Sequence, residues 1–368
     1  MHTTNIYINK AQFIANLNLI RNKIGSHTKL CLPVKANAYG HGLVNMAQIA
    51  APHVDYLAVA CLDEGVELRR NGIRVPILVF GAFDDQQISA LVANNLEITI
   101  TSLDKAKILA DYCYQAETIC QVHVKIDTGM GRVGASMNEA EELVNFVASN
   151  PVLEMIGVYS HLAASDSPNR TLTELQIERF THIAKFAKSL KPEVMCHLAN
   201  SGGVIYYPES YFDMVRPGIV SYGYPAHPES ALELLPVKPC LQLVSHIMQL
   251  KQIAPETGIS YGHRYVSKEQ ENIATIAIGY GDGFRRLLST LDQHVLINGK
   301  KYPIVGNICM DMLMVSLGKD SAQVGDKVII IGIDGSEEIQ IRELSDKLHT
   351  IDYEILVGFT SRIPRIIV

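Results

Sequence analysis

The first two thirds of this 368-residue chain alternate between short apolar segments and amphipathic ones. Apolar runs rich in β-branched residues lie at 30–35, 56–60, 75–80, 97–100, 121–127, 155–160, 194–198 and, less regularly, 213–220. Helical spacing of apolar residues occurs at 43–51, 63–70, 84–94, 103–114, 138–148 and 172–190. Serial strand–helix units whose strands are continuously apolar favour a buried parallel sheet. Eight strands in about 220 residues fit a (β/α)8 barrel, and a doubly wound open sheet is the alternative that periodicity leaves open.

The remaining third has a different pattern. Four prolines, Pro225, Pro228, Pro236 and Pro239, indicate a linker or boundary. Closely spaced apolar runs then follow at 241–253, 272–278, 294–297, 301–305 and 327–333, with turn signals at 298–299 and 334–335. We therefore predict an α/β chain with a barrel domain over residues 1–235 and a mostly β domain over 236–368. The first few residues are allowed by this prediction to pack with the β domain instead of the barrel.

Composition restricts the partners and the compartment. The 38 acidic residues exceed the 32 basic ones, which argues against a nucleic-acid or anionic-membrane surface. Seven cysteines without a C-x-x-C pair indicate free thiols rather than a disulfide or zinc framework. No secretory signal and no apolar run of membrane-spanning length is visible. These features predict a soluble cytoplasmic protein.

The most informative segment is PVKANAYGHG at 33–42, in which Lys35 ends an apolar strand and precedes a small, polar, glycine-containing loop. At the C-terminal mouth of a parallel barrel, a lysine amine is partly desolvated and can attack an aldehyde as a nucleophile. The alternative for an isolated strand-end lysine is simple extension into solvent. The whole ten-residue string favours the chemical role.

VKANAYGHG at 34–42 resembles the cofactor-lysine motif of alanine racemases, which are barrel-type (fold-type III) pyridoxal-phosphate enzymes. The resemblance continues in order along the chain through VKIDTGMGR (124–132), YSH (159–161), HLANS (197–201) and VRPGI (215–219). In the β region it extends through ISYG (259–262), GYGDG (279–283), CMD (309–311) and YE (353–354). This ordered set covers nearly the full chain. One departure is Asn307, where the family would lead us to expect a basic residue lining the entrance corridor.

The resemblance implies a role for each matching residue. Lys35 and Tyr261 are implied as the two catalytic acid/bases on opposite faces of the substrate, with Lys35 also holding pyridoxal 5'-phosphate. Arg132 and Met310 are implied to bind substrate, Lys125 to carry a carbamate, and Tyr280 and Asp166 to line the entrance. The other implied cofactor contacts are Tyr39, His161, His197, Asn200, Ser201, Arg216, Gly218, Ile219 and Tyr353.

Position provides a separate argument for one site. Lys35, Arg132, His161, Ser201 and Arg216 each fall at or near the C-terminal end of a predicted strand. On a barrel those ends share one face, so these residues are expected to converge. For individual residues alternatives remain, because Arg132 could pair with a surface carboxylate, Lys125 could form a buried salt bridge, and the histidines could be core residues.

Other kinds of site are disfavoured. GYGDG at 279–283 fails the dinucleotide-binding spacing, because Phe284 stands where the third glycine is needed. No spacing of His, Asp or Glu suggests a catalytic metal, and no G-x-S-x-G elbow suggests a hydrolase.

The predicted function is interconversion of L- and D-alanine, supplying D-alanine for peptidoglycan. The alternatives are a serine or broad-specificity amino-acid racemase and, in a different class, a non-catalytic pyridoxal-phosphate carrier. By the same resemblance we expect a homodimer in which each active site combines Lys35 of one chain with Tyr261 of the other.

Overall fold

The structure is a computed structural model that describes residues 3–225 and 230–368. Two compact units are present. The barrel unit comprises Ala11–Ala38 and Leu43–Pro239, and the β unit comprises the residues up to Lys10, Tyr39–Gly42 and Cys240–Val368. The division between residues 235 and 236 stays a prediction, and Pro228 of the predicted linker lies outside the described residues.

Eight parallel strands close into a barrel, which confirms the predicted fold class and rejects the open sheet. The strands pair in chain order, and the last closes on the first through Lys29–Met214 and Leu30–Val215. The strands are β2 (Lys29–Pro33), β3 (Tyr56–Val59), β4 (Ile77–Val79), β5 (Glu97–Ile100), β6 (Cys120–Lys125), β7 (Leu153–Tyr159), β8 (Met195–His197) and β9 (Met214–Val215). One apolar cluster of the unit includes Cys31, Tyr56, Leu78 and Met214.

Helices connect these strands, as the parallel arrangement requires. The described helices of the N-terminal two thirds are α1 (Lys10–Ile24), α2 (Leu43–Ala50), α3 (Leu62–Arg70), α4 (Ile88–Ala93), α5 (Leu103–Gln115), α6 (Ala140–Ser149), α7 (Thr171–Leu190), α8 (Ser201–Tyr206) and α9 (Ser230–Leu234). The sequence pattern missed α1. The predicted strand at 213–220 was too long, because Pro217 cannot donate a ladder hydrogen bond and Ile219–Tyr222 forms a 3-10 turn.

The β unit contains a nine-stranded sheet in the order β18-β17-β14-β15-β16-β13-β10-β1-β19, in which β17 also pairs with β10. Its strands are β1 (Asn5–Ile8), β10 (Leu241–Ile253), β13 (Glu271–Ile276), β14 (His294–Ile297), β15 (Lys300–Val305), β16 (Leu313–Gly318), β17 (Lys327–Asp334), β18 (Glu337–Ile339) and β19 (Arg365–Ile367). Short β11 (Gly258–Ile259) and β12 (Tyr265–Val266) form a separate hairpin, and helices α10 (Ile341–Lys347) and α11 (Asp352–Gly358) follow the sheet. This unit is mostly β, as predicted, and most of its strands pair antiparallel.

Across residues 3–225 and 230–368, no helix has both the length and the apolarity needed to cross a membrane. The seven cysteines are all unbridged.

Candidate active site

Lys35 stands just beyond β2 and opens a left-handed turn. Ala36, Asn37, Ala38 and Tyr39 have φ values of 52°, 55°, 51° and 52°, a conformation that costs L-residues about 1–2 kcal/mol each. Two side chains hold the turn. The Glu64 carboxylate accepts the Ala36 and Ala60 N–H groups at 2.6 and 2.8 Å, and the Asn37 side-chain oxygen accepts the Leu43 N–H at 2.8 Å. Lys35 is thus presented by a strained but braced segment.

The environment of the Lys35 amine favours its neutral form. Burial lowers the pKa of Lys35, the positive charge of Arg132 lowers it further, and the Glu64 carboxylate offsets part of this effect. The amine lies 6.0 Å from the centre of the Phe80 ring. A neutral lysine amine is the nucleophilic form, so the predicted chemistry at Lys35 is physically available.

Lys125 ends β6, and its loop continues to Arg132. Burial lowers the pKa of Lys125 well below its ordinary value, and the charges of Arg216 and Arg132 act in the same direction. The loop is fixed by Asp127, whose carboxylate accepts the N–H groups of Gly129 and Arg132 at 2.9 Å each. No acidic side chain forms an ion pair with Lys125 within the described residues, so a buried salt bridge does not account for it.

The Tyr159 ring links several of these groups. It is stacked on the His197 ring at 4.8 Å between centres, with the planes within 4°. The Lys125 amine lies 4.3 Å, and the Arg216 guanidinium carbon 5.0 Å, from its centre. The Tyr159 hydroxyl hydrogen-bonds to Thr99 at 2.8 Å. Tyr159 therefore fixes the relative positions of three residues that the sequence placed in one site.

Arg216 follows β9 and is buried. It donates to His197 Nδ1 at 2.5 Å and to the carbonyl oxygens of Ser160 and Leu198 at 2.5 and 3.1 Å. Burial lowers the pKa of Arg216 to about 10, so the guanidinium stays charged at neutral pH. Three of its five N–H groups have acceptors among the described residues, which leaves two for a ligand.

Positive charge is concentrated at this end of the barrel. Burial, together with the charges of Lys125, Arg216, Arg132 and Lys35, lowers the pKa of His161 well below its ordinary value. The His161 imidazole is therefore neutral at pH 7. The same charges show that these predicted residues are brought together.

The segments after β8 and β9 also meet. Asn200 caps α8 by accepting the Gly203 N–H at 3.0 Å, and Ser201 Oγ accepts the Gly218 N–H at 3.0 Å. Ile219 is buried directly after Gly218. A hydroxyl and adjoining backbone N–H groups are donors suited to an anion. Asp166 is partly exposed and bonds to none of these residues in the part of the chain described.

The remaining predicted residues lie in the β unit. Tyr39 and Tyr353 pack ring to ring at 6.0 Å, and burial raises the pKa of Tyr39. Tyr261, Met310 and Tyr280 have exposed fractions of 74%, 52% and 42%. Their segments are joined by hydrogen bonds from the Tyr280 N–H to the Cys309 carbonyl at 3.0 Å and from the Asn307 amide to the Tyr261 carbonyl at 2.6 Å. Asn307 thus supports the loop that carries Tyr261.

Sequence reasoning missed Glu97, His123 and Thr99, and treated Tyr159 only as part of a motif. Glu97 and His123 are buried inside apolar strands β5 and β6. Charged residues are almost never fully buried without a partner, so a glutamate in a continuously apolar strand was the available signal.

Comparisons with known proteins identify the family of the chain. Residues 8–226 match the family description "Alanine racemase, N-terminal domain", and residues 240–367 match "Alanine racemase, C-terminal domain". An alanine racemase from Synechocystis sp. is 40% identical over 369 residues, covering 99% of this chain and 98% of its own length.

Solved structures give the same result. Alanine racemase from E. faecalis superposes with a TM-score of 0.92 at 32% identity, covering 100% of this chain and 98% of that one. The enzyme from Bacillus anthracis with bound L-Ala-P gives 0.92 at 33% identity, covering 100% and 95%. The chain belongs to the alanine racemase family of isomerases.

Proposed function

We propose that the chain interconverts L- and D-alanine with pyridoxal 5'-phosphate bound at the C-terminal end of the barrel. The observation that carries the proposal is that Lys35 and the buried, charged Arg216 follow β2 and β9, which pair side by side, and that both act on His161. Their place at the ends of two parallel strands is typical of barrel active sites.

The residues present fit this cofactor. The Lys35 amine can bond to its aldehyde, and one of the remaining N–H groups of Arg216 can donate to its ring nitrogen. The Ser201 hydroxyl and the Ile219 N–H can donate to its phosphate, while Gly218, whose N–H holds Ser201 Oγ, lets the backbone approach closely. Tyr39 and Tyr353 offer further hydroxyls. The Asn200 side chain fixes the start of α8 through the Gly203 N–H, which supports the Ser201 position. When bound, pyridoxal phosphate would acidify the substrate α-proton.

Racemisation removes the α-proton from one face of the amino acid and returns a proton to the other. Two acid/bases on opposite faces are therefore needed. Lys35 serves as one, and its lowered pKa suits proton transfer near neutral pH. We assign the other role to Tyr261, whose exposed hydroxyl is free to face a substrate.

Arg132 is proposed to bind the substrate carboxylate, since a guanidinium matches a carboxylate bidentately. Lys125 is proposed to carry a carbamate. Its lowered pKa keeps the amine in the form that reacts with carbon dioxide, and the resulting negative charge would offset Arg132 and Arg216. Met310, Tyr280 and Asp166 are proposed at the substrate entrance.

The proposed substrate is alanine, and the proposed role is supply of D-alanine for peptidoglycan. A serine or broader-specificity racemase is the nearest alternative. A cofactor carrier is disfavoured because it would not need Tyr261. A cytoplasmic location is supported by the unbridged cysteines.

We further propose a homodimer with shared sites. Lys35 belongs to the barrel unit and Tyr261 to the β unit, where Tyr261, Met310 and Tyr280 leave apolar surface open to solvent. Exposed apolar patches of this kind mark interaction surfaces. A two-fold axis would build both sites alike.

The reaction is tested by mixing protein and cofactor with L-alanine, L-serine and several larger amino acids, and following optical activity. Alanine should racemise fastest. Faster racemisation of serine would favour the alternative substrate, and tight cofactor binding without any racemisation would favour a carrier.

The cofactor attachment is tested by borohydride reduction followed by peptide mapping. The label should be found on Lys35. Label on Lys125 or on another lysine would contradict the assignment.

The shared site is tested by complementation. Lys35→Ala and Tyr261→Ala homodimers should each be nearly inactive. Co-refolding them should give about half mixed dimers, each with one intact site, so activity should recover to about a quarter of wild type. No recovery despite verified subunit exchange would mean that both residues come from one chain.

A further inference from the structure

A chain of hydrogen bonds leads away from Arg216 through the barrel interior. Arg216 lies 2.5 Å from His197 Nδ1, His197 Nε2 lies 2.9 Å from His123 Nδ1, and His123 Nε2 lies 2.6 Å from a Glu97 carboxylate oxygen. None of the four residues is more than 4% exposed. A cation and an anion are thus connected by two imidazoles in a buried environment.

The donors and acceptors fix the direction in which each hydrogen bond between Arg216 and Glu97 is donated. A guanidinium can only donate, so His197 Nδ1 must accept. The single proton of a neutral His197 is then on Nε2 and is donated to His123 Nδ1. By the same reasoning the His123 proton is on Nε2 and is donated to Glu97. Burial and the Arg216 charge lower the pKa of His197 well below its ordinary value, in keeping with a neutral ring.

The barrel makes room for this arrangement. His123 pairs across strands with Thr99 on one side and Gly157 on the other. A Cβ atom at Gly157 would lie 2.3 Å from His123 Nδ1, which is far inside contact distance. Any side chain at this position would displace the imidazole. The absence of a side chain in β7 therefore keeps His123 in reach of His197.

We propose that Glu97 and His123 are positioning residues for Arg216, in which Glu97 supplies the buried counter-charge and the two imidazoles transmit it in fixed Nε2–H tautomers. A buried charge without a partner is strongly destabilising, and no carboxylate forms an ion pair with Arg216 directly within the described residues. The assignment toward the cofactor rests on the proposed function, since it makes Arg216 the donor to the ring nitrogen.

The tautomers can be read without reference to the cofactor. Nitrogen-15 NMR of the full chain labelled at histidine should place the ring proton of both His123 and His197 on Nε2. A proton on Nδ1 of His197 would overturn the proposal, because Arg216 would then face another donor. This measurement is valid even if borohydride labelling of Lys35 fails. Failure of the proposed Glu97 and His123 roles and failure of the proposed function are therefore distinguishable.

Three variants separate charge from hydrogen bonding. Glu97→Gln keeps an acceptor for His123 and removes the charge, so the tautomers should persist while the absorbance maximum of the bound cofactor shifts. We expect kcat/KM to fall about 10–100-fold, the size of effect known for residues that orient metal ligands by hydrogen bonding. Glu97→Leu should also lose the single His123 tautomer, and Glu97→Asp should restore part of both signals.

Glu271 provides the matched control. It is a buried glutamate of the β unit that bonds to Tyr265 and Ser316. Glu271→Gln should leave the histidine tautomers and cofactor absorbance unchanged, even if it lowers the melting temperature. If Glu97→Gln matches Glu271→Gln in tautomers, absorbance and kcat/KM, Glu97 has only a structural role and the proposal is wrong.

A separate observation concerns two thiols at the start of β6, the end of the strand opposite to Lys125. Cys113 lies near the end of α5 and Cys120 begins β6, and their sulfur atoms are 2.7 Å apart. A bonded disulfide measures about 2.05 Å, so little movement separates the pair from a bond. The turn between them is fixed by the Thr118 N–H, which donates to the Cys113 carbonyl at 3.0 Å.

We infer that Cys113 and Cys120, which are both buried, form a reversible disulfide when exposed to a small diffusible oxidant such as hydrogen peroxide. One thiol loses its proton and its sulfur attacks a peroxide oxygen, which gives a sulfenic acid and releases water. The second thiol then displaces that hydroxyl group as water, so that two protein thiols are oxidised and one peroxide is reduced to two waters. The hydrogen bond from Cys120 lowers the pKa of Cys113, which favours Cys113 as the first thiolate.

The test treats the folded chain with hydrogen peroxide and then unfolds it for peptide mapping. The map should join Cys113 to Cys120, and a reductant should restore both thiols. Cys113→Ser and Cys120→Ser should each abolish the bond. Cys196→Ser, which changes a buried thiol bonded only to the Ala184 carbonyl among described residues, should retain it. A map without the Cys113–Cys120 bond, or a stable sulfinic acid on either of these two residues, would overturn the inference.

Discussion

The predicted site residues of the barrel unit and those of the β unit differ in how they are held. Lys125, His197 and Arg216 are buried and contact one another or the same Tyr159 ring. Tyr261 and Met310 are more than half exposed. The barrel residues are therefore fixed by folding, whereas the β-unit residues have surface left for something else to cover. Substitution of a site residue should therefore change activity without changing stability in the β unit. In the barrel unit it should change both.

The largest expected effect is on Tyr261. Tyr261→Phe removes one exposed hydroxyl and should reduce racemisation about 10²–10⁴-fold, the usual contribution of a general acid/base. Its free energy of unfolding should change by less than about 0.5 kcal/mol, as for surface substitutions. Urea unfolding and optical rotation measure the two quantities. Tyr302→Phe, in the same unit, should leave activity unchanged, and unchanged activity in Tyr261→Phe would remove Tyr261 from the mechanism.

Arg216→Glu is expected to lower both the rate of racemisation and the free energy of unfolding. Loss of one preorganised donor costs about 10²–10³ in kcat, and the new carboxylate would face the Ser160 and Leu198 carbonyls. With substrate, a new long-wavelength absorbance should develop because a carboxylate would accept a hydrogen bond from the protonated cofactor ring nitrogen and so stabilise that form. Arg170→Glu, on the surface of the same unit, is the control. An unchanged spectrum and rate in Arg216→Glu would show that Arg216 is structural.

Gly157→Ala should break the hydrogen bonds of His123 with His197 and Glu97 without removing any polar group. The added methyl would meet the His123 ring, and overpacking of this kind costs typically about 1–3 kcal/mol. Gly65→Ala is matched, because its methyl would meet only the flexible end of Leu96. Thermal unfolding and the His123 NMR signals should change in the first variant and not in the second. Equal behaviour would mean that the strand spreads to accommodate the methyl.

The smallest expected effect is a gain in stability. Ala36 is exposed and left-handed, so Ala36→Gly should stabilise the chain by about 0.5–1 kcal/mol. Ala15 is an exposed residue inside right-handed α1, so Ala15→Gly should instead lower the free energy of unfolding by about 1 kcal/mol. Denaturant titration compares the two. A loss of stability in Ala36→Gly would mean that the left-handed turn is not strained.

Strand and helix positions were predictable where periodicity was strong, and β10 was located to the residue. Strand-end placement also predicted that Lys35, His161 and Arg216 converge. The left-handed turn after Lys35 was not predictable, because alanine ordinarily avoids this conformation and the Glu64 brace comes from a separate helix. The Glu97–His123 connection was not predictable either, because it depends on strand register and on space at Gly157.

The position of β1 has a consequence for the order in which the chain becomes structured. Asn5–Ile8 lies between β10 and β19, so the first strand of the chain pairs with the last. During synthesis the barrel segment is complete long before residue 365 emerges, and until then β10 is the one neighbour of β1 that has been made. Contacts so distant in sequence form slowly. Pairing of β1 with β19, rather than local folding, should therefore set the time at which the β unit is completed.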